Sequence, residues 1–103
     1  MTKNPSEALE KTIPLPKEIG EGWGITNTND ELIISDGSEN LFFLEPIEEG
    51  LIVKRIVEVK DSSTERVYNN LNELEYAYDY VFSNIWFLNV ILIINPKTGE
   101  VLR

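Results

Sequence analysis

A chain of 103 residues has the size of one small domain, and a 42 % apolar content supplies enough material for a core, so disorder is not the starting expectation. Lys and Arg number 9 against 18 Asp and Glu, a balance that excludes the basic footprint of a nucleic-acid binder and disfavours docking on an anionic membrane. With no Cys and no His, a disulfide framework and a Ser-His-Asp or Cys-His nucleophile are excluded, zinc loses its usual ligands, and no metal or cofactor is expected.

The start, Met1-Thr2-Lys3-Asn4-Pro5, lacks the apolar run of a signal peptide, and the apolar stretches near Val81 and Val90 are too short to span a bilayer. The expectation is a soluble chain, its compartment unassigned. A short helix is conceivable only over residues 6–11. Ile13-Pro14-Leu15-Pro16 reads as an outer strand, with prolines where an edge accepts them. Strands are then predicted over 23–26, 31–35, 40–45 and 51–59. Ser35-Asp36-Gly37-Ser38 supplies a hairpin signal between the second and third, because Asp-Gly tolerates positive φ. After the polar loop Asp61-Ser62-Ser63-Thr64-Glu65 the pattern restarts over 71–76, 80–85 and 90–95, and Val101 opens a further strand.

A repeat organises these elements. Asn4-Pro5-Ser6-Glu7-Ala8-Leu9, Glu45-Pro46-Ile47-Glu48-Glu49-Gly50-Leu51 and Asn95-Pro96-Lys97-Thr98-Gly99-Glu100-Val101-Leu102 each run from a polar residue through Pro and turn formers back to apolar residues. Their spacing, roughly 40 to 50 residues, is the period of a propeller blade of four short strands. The predicted fold class is all-β, about two four-stranded blades of a β-propeller. Residues 1–19 would end a preceding blade, 20–60 form one blade, and 61–103 form the next up to the start of its outer strand. The competing reading is a small mixed or all-β domain whose turns look alike. Two blades alone would leave two flat flanks that a closed ring buries. The chain is therefore expected to be a fragment, a split polypeptide or one piece of an assembly.

Three segments could carry chemistry. In Gly20-Glu21-Gly22-Trp23-Gly24-Ile25-Thr26 the glycines let other groups approach the Trp23 ring, which is either a pocket wall or a packed inner-strand aromatic. In Leu71-Asn72-Glu73-Leu74-Glu75-Tyr76 a period of two puts Asn72, Leu74 and Tyr76 on one face and Leu71, Glu73 and Glu75 on the other. Glu73 and Glu75, one pleat apart, could raise one another's pKa as a general acid requires, or could be held by backbone N–H groups or a neighbouring basic residue. In Ser83-Asn84-Ile85-Trp86-Phe87-Leu88-Asn89, Trp86 ends a strand before a turn, where propeller loops line the ring's mouth.

Together, Glu21-Gly22-Trp23-Gly24-Ile25-Thr26, Ser35-Asp36-Gly37-Ser38, Leu71-Asn72-Glu73-Leu74-Glu75-Tyr76 and Asn84-Ile85-Trp86 resemble, in order and separation, the glutaminyl-peptide cyclotransferase (glutamine cyclotransferase) family of the plant and bacterial type. The resemblance implies a five-bladed, metal-independent propeller that cyclises N-terminal glutamine to pyroglutamate and releases ammonia. It implies that Trp23 and Trp86 line the pocket and that Asn72 contacts the substrate, a peptide with N-terminal Gln. The family's proposed catalytic Glu, in a Phe-Gly-Glu-Gly motif of an earlier blade, has no counterpart here. Glu21, in the equivalent position of the next blade, joins Glu73 and Glu75 only as a weak catalytic candidate. Phe87-Leu88-Asn89 replaces a polar run often found in the family. The chain thus resembles the middle of such an enzyme, completed by blades from the same gene or another chain, or by self-association. The alternative is a non-catalytic propeller remnant serving as a binding or structural module.

Overall fold

Short runs of β-branched and aromatic residues, punctuated by Gly, Asp and Asn, favour pleated backbone over helix along the chain. The computed structural model describes residues 13–102, which contain strands and turns and no helix. The helix conceivable over residues 6–11 and the first copy of the repeat lie outside the described residues.

Two antiparallel meanders follow one another. The first sheet runs β1 (Gly24–Asn27), β2 (Leu32–Ser35), β3 (Asn40–Ile47) and β4 (Gly50–Glu58), each strand pairing with the next. A small hairpin, β5 (Lys60–Asp61) with β6 (Arg66–Val67), comes next. It stands where the sequence suggested a plain loop, because the Asp61 carboxylate accepts from the Ser63 N–H at 3.0 Å and closes a tight Asx turn. The second sheet is β7 (Leu71–Ala77), β8 (Tyr80–Ile85) and β9 (Ile91–Ile94). A single bridge from Ile94 to Val101 begins a fourth strand beside it.

Both described copies of the Pro-containing repeat fall at the same place in their meanders. Ile47 and Gly50 close the turn between β3 and β4, and Asn95 to Glu100 turn the chain from β9 toward Val101. Ile13-Pro14-Leu15-Pro16, expected as an outer strand, forms no strand among the described residues. Pro14 and Pro16 donate nothing to a ladder, and the Pro16 carbonyl instead accepts from Ile19 N–H at 3.0 Å in a turn.

The main core lies between the two sheets. Ile33, Leu41, Phe43 and Val59 meet Leu71, Leu74, Val81, Ile85, Leu92 and Ile94 there. Burying such a side chain is worth about 1.5–3 kcal/mol, so this interface holds the sheets together. Strand alternation supplies it: Val81, Ser83 and Ile85 point inward while Tyr80, Phe82 and Asn84 point away. Polar links reinforce the contact. Tyr76 N–H donates to Thr26 Oγ1 at 3.1 Å, and Arg55 donates to the Pro96 carbonyl at 2.9 Å while its guanidinium lies 3.7 Å from the Phe43 ring centroid. The far face of the first sheet carries a second cluster, Ile34, Phe42 and Leu44, covered in part by Ile19. Ile25 and Ile56 on that far face stay exposed, as do Ile91 and Ile93 on the outward face of the second sheet.

Candidate functional site

The site is assembled where β1 and β7, the first strands of the two sheets, touch. Trp23 N–H donates to the Ser35 carbonyl at 3.0 Å and so carries the β1–β2 ladder one residue beyond Gly24. Its ring lies flat on the hairpin turn after β2. A Cβ on Gly37 would stand 2.6 Å from Trp23 Cε2, and Gly37 holds φ +84°, so sterics and backbone both demand glycine. The indole Nε1 donates to Glu21 Oε1 at 2.7 Å.

Gly24 serves a different contact from the one the sequence suggested. It makes room for backbone, not for groups around the Trp23 ring. A Cβ there would stand 2.6 Å from the Glu73 amide nitrogen and 3.0 Å from that of Leu74. β1 thus packs directly on the backbone of β7.

The contact falls on a β-bulge. Leu71 pairs with Ile85 and Asn72 with Asn84, but Leu74 pairs with Ser83, leaving Glu73 as the extra residue with φ +44°. The period of two expected over residues 71–76 is therefore broken. Leu71, Leu74 and Tyr76 share the core face, and Asn72 and Glu75 share the outward one. The reason is burial: Leu71 and Leu74 are three apart and both enter the core, which regular pleating forbids. Glu73 and Glu75 consequently do not form the stacked carboxylate pair, and both are exposed.

Trp86 is placed by a relay of backbone hydrogen bonds that starts at the Trp23 seat. The Gly37 carbonyl accepts from Asn70 N–H at 2.8 Å, and the Asn70 carbonyl accepts from Trp86 N–H at 2.9 Å. The two indoles meet edge to face, with centroids 6.4 Å apart and an interplanar angle of 73°, a favourable arrangement for aromatic quadrupoles. Glu21, Trp23, Asn72 and Trp86 line one open cavity of about 280 Å³. Glu73 lines a larger hollow of about 520 Å³ on another side of Trp23, with Leu15, Ile25, Ile34 and Leu74. Glu75 lines neither.

Of the six sequence-selected residues, the fold thus brings four together and leaves Glu73 and Glu75 apart. The supports that sequence reading missed are Gly37 as the seat of a ring and Asn70, at φ +58°, as the relay. The positive-φ signal of Asp36-Gly37 was legible; its meeting with Trp23 was not. Chemically, the cavity offers two aromatic walls, one carboxamide and one carboxylate already engaged by an indole N–H. Such a set has the chemistry to flank and orient a small polar group carrying amide or amine functions.

Fold and site together define an all-β chain of paired antiparallel meanders with an aromatic-walled polar cavity at their junction. The chain belongs to the glutamine cyclotransferase family, whose sequence model matches residues 3–103. It is 33 % identical over 94 residues to a glutaminyl-peptide cyclotransferase of Arabidopsis thaliana, covering 91 % of this chain and 28 % of that protein. The crystal structure of Myxococcus xanthus glutaminyl cyclase superposes with a TM-score of 0.72 at 39 % identity, over 80 % of this chain and 34 % of that one. The chain thus spans about a third or less of the length of these relatives.

Proposed function

We propose that this chain contributes part of the substrate pocket of a glutaminyl-peptide cyclotransferase, within a five-bladed propeller whose other blades come from the same gene or another chain. The observation that carries this reading is the convergence of Trp23, Asn72 and Trp86, from two sheets and a connecting turn, on one cavity. Family membership and the likeness to a glutaminyl cyclase structure support it.

In the reaction, the neutral α-amine of an N-terminal Gln attacks the side-chain amide carbon. A five-membered lactam C–N bond forms, the amine loses a proton, and the original C–N bond breaks as the leaving nitrogen is protonated to ammonia. The two indoles, in contact with each other, form adjoining walls against which the aliphatic part of the Gln side chain packs in a folded, near-attack conformer. Asn72 hydrogen-bonds the amide, from which oxyanion charge develops. Glu21, oriented by the Trp23 indole, accepts from the peptide amine. Proton transfer to the leaving nitrogen falls to an acid in a preceding blade, since neither Glu73 nor Glu75 lines this cavity.

The chain's two tryptophans both line the cavity, so tryptophan fluorescence reports on it. Titration with Gln-Ala-Ala-amide is expected to shift the emission, and Ala-Ala-Ala-amide to leave it unchanged; ammonia release is followed in parallel. Equal responses to both peptides sink the pocket assignment. Binding without ammonia release supports the division of labour just described, and a chain that stays inactive with every other blade present is the non-catalytic binding module.

A further inference from the structure

The surface around the tryptophans does not end at Trp86. The same residue walls a second hollow of about 230 Å³, whose other sides include Arg66, Tyr68, Phe87 and Leu88. Ligand sites usually occupy about 300 Å³ or more. Neither hollow reaches that alone; together, sharing Trp86, they offer the room of a short peptide.

The second hollow is built in a way that core packing does not require. Leu88 N–H donates to the Ile85 carbonyl at 3.0 Å, closing a turn whose third residue, Phe87, takes φ +78°. Turns with positive φ at that place favour Gly or Asn, and a bulky residue there is costly. The result is a phenyl ring 85 % exposed and 5.1 Å from Trp86, edge to face. Within this chain, no core contact accounts for an aromatic ring held out beside another.

Arg66 brings charge to the same wall. Its guanidinium lies 4.7 Å from the Tyr68 ring centroid. Its cross-strand neighbour Asp61 directs its carboxylate to Ser63. The two ion pairs among the described residues join Lys54 to Glu45 and Arg55 to Glu31. Arg66 therefore borders the hollow with no carboxylate at ion-pair distance among the described residues, in a chain of net charge −9. In the first cavity, which shares the Trp86 wall, sits the Glu21 carboxylate.

Building on the pocket proposed above, we infer that the hollow of Arg66, Tyr68 and Phe87 receives the residues that follow the N-terminal Gln, and that it favours an acidic side chain at the second or third position. The peptide amine lies toward Glu21, the chain passes over Trp86, and the acidic group meets the guanidinium. The aromatic rings contact the peptide's apolar stems. This makes Arg66 a specificity residue without a part in the chemistry.

The test uses amidated peptides, so that no terminal carboxylate competes: Gln-Ala-Ala-amide, Gln-Glu-Ala-amide and Gln-Ala-Glu-amide, each titrated into the full chain by tryptophan fluorescence. One of the acidic peptides is expected to bind about threefold tighter than the neutral one, as an exposed guanidinium–carboxylate pair allows, with the advantage shrinking as salt rises. Arg66→Gln should abolish the preference and Arg66→Glu should invert it, circular dichroism confirming the fold of each. Equal affinity for all three peptides, or a preference that survives Arg66→Gln, overturns this inference while leaving the pocket assignment intact. No response to any of them overturns both.

Discussion

Replacing Gly24 by Ala tests the junction on which the site is built. The added methyl carbon would stand 2.6 Å from the Glu73 nitrogen, 3.0 Å from the Leu74 nitrogen and 3.0 Å from Ser35 Oγ. Two of the three neighbours are backbone, so no side chain can swing aside, and β1 must lift from β7. Overpacking of this kind costs about 1–3 kcal/mol. At roughly 4–8 °C per kcal/mol for a domain of this size, the melting temperature should fall by about 10 °C. Gly20 is the control, because a Cβ there meets nothing within 4 Å; Gly20→Ala should be neutral or slightly stabilising through a less flexible unfolded chain. Thermal and urea unfolding followed by circular dichroism measure both variants. The lift also carries Trp23 away from Asn72, so Gly24→Ala should weaken the fluorescence response to Gln-Ala-Ala-amide. A Gly24→Ala protein within about 0.5 kcal/mol of the parent, the scatter of ordinary surface substitutions, would refute the close packing of β1 on the bulge.

Three further outcomes are expected. Trp86, 45 % exposed, should tolerate Trp86→Ala with a loss of about 1 kcal/mol or less in stability but a loss of most Gln-peptide affinity; equal losses in urea melts and titrations would make it a packing residue only. With Ile25 and Ile56 exposed on one flank and Ile91 and Ile93 on the other, the isolated chain should self-associate; sedimentation velocity should show Ile91→Lys moving it toward monomer, and a sharp monomer before mutation would count against open flanks. Partial burial and the Asp79 carboxylate, which accepts from the Tyr76 hydroxyl at 3.3 Å, raise the Tyr76 pKa above its ordinary value. The stability tied to this phenol is therefore present below the unfolded tyrosine pKa and declines as pH rises through the folded one. Tyr76→Phe should remove a phase of the alkaline phenolate titration that lies above the ordinary tyrosine range, and an unchanged titration would contradict this.

Local chemistry determined much of this protein in advance. Alternating apolar residues set seven of the nine strands to within a few positions, and Asp-Gly and Asn-Pro set the turns, because pleating and turn dihedrals depend on a few adjacent residues. Trp23 and Trp86, which line the cavity, stood out in the segments that hold them, whereas Asn72 was singled out only through the resemblance. What the sequence could not decide was how those segments meet. The bulge at Glu73 arises because Leu71 and Leu74 must both enter a core whose other half lies in a different sheet, and that demand outweighs the period of two. It separates Glu73 from Glu75. Gly37 carries a legible turn signal, yet only the fold lays Trp23 on it and runs a relay from it through Asn70 to Trp86. Backbone preference is local and is written along the chain; close approach between strands some fifty residues apart follows from the burial of both, and exists only once the two sheets have packed.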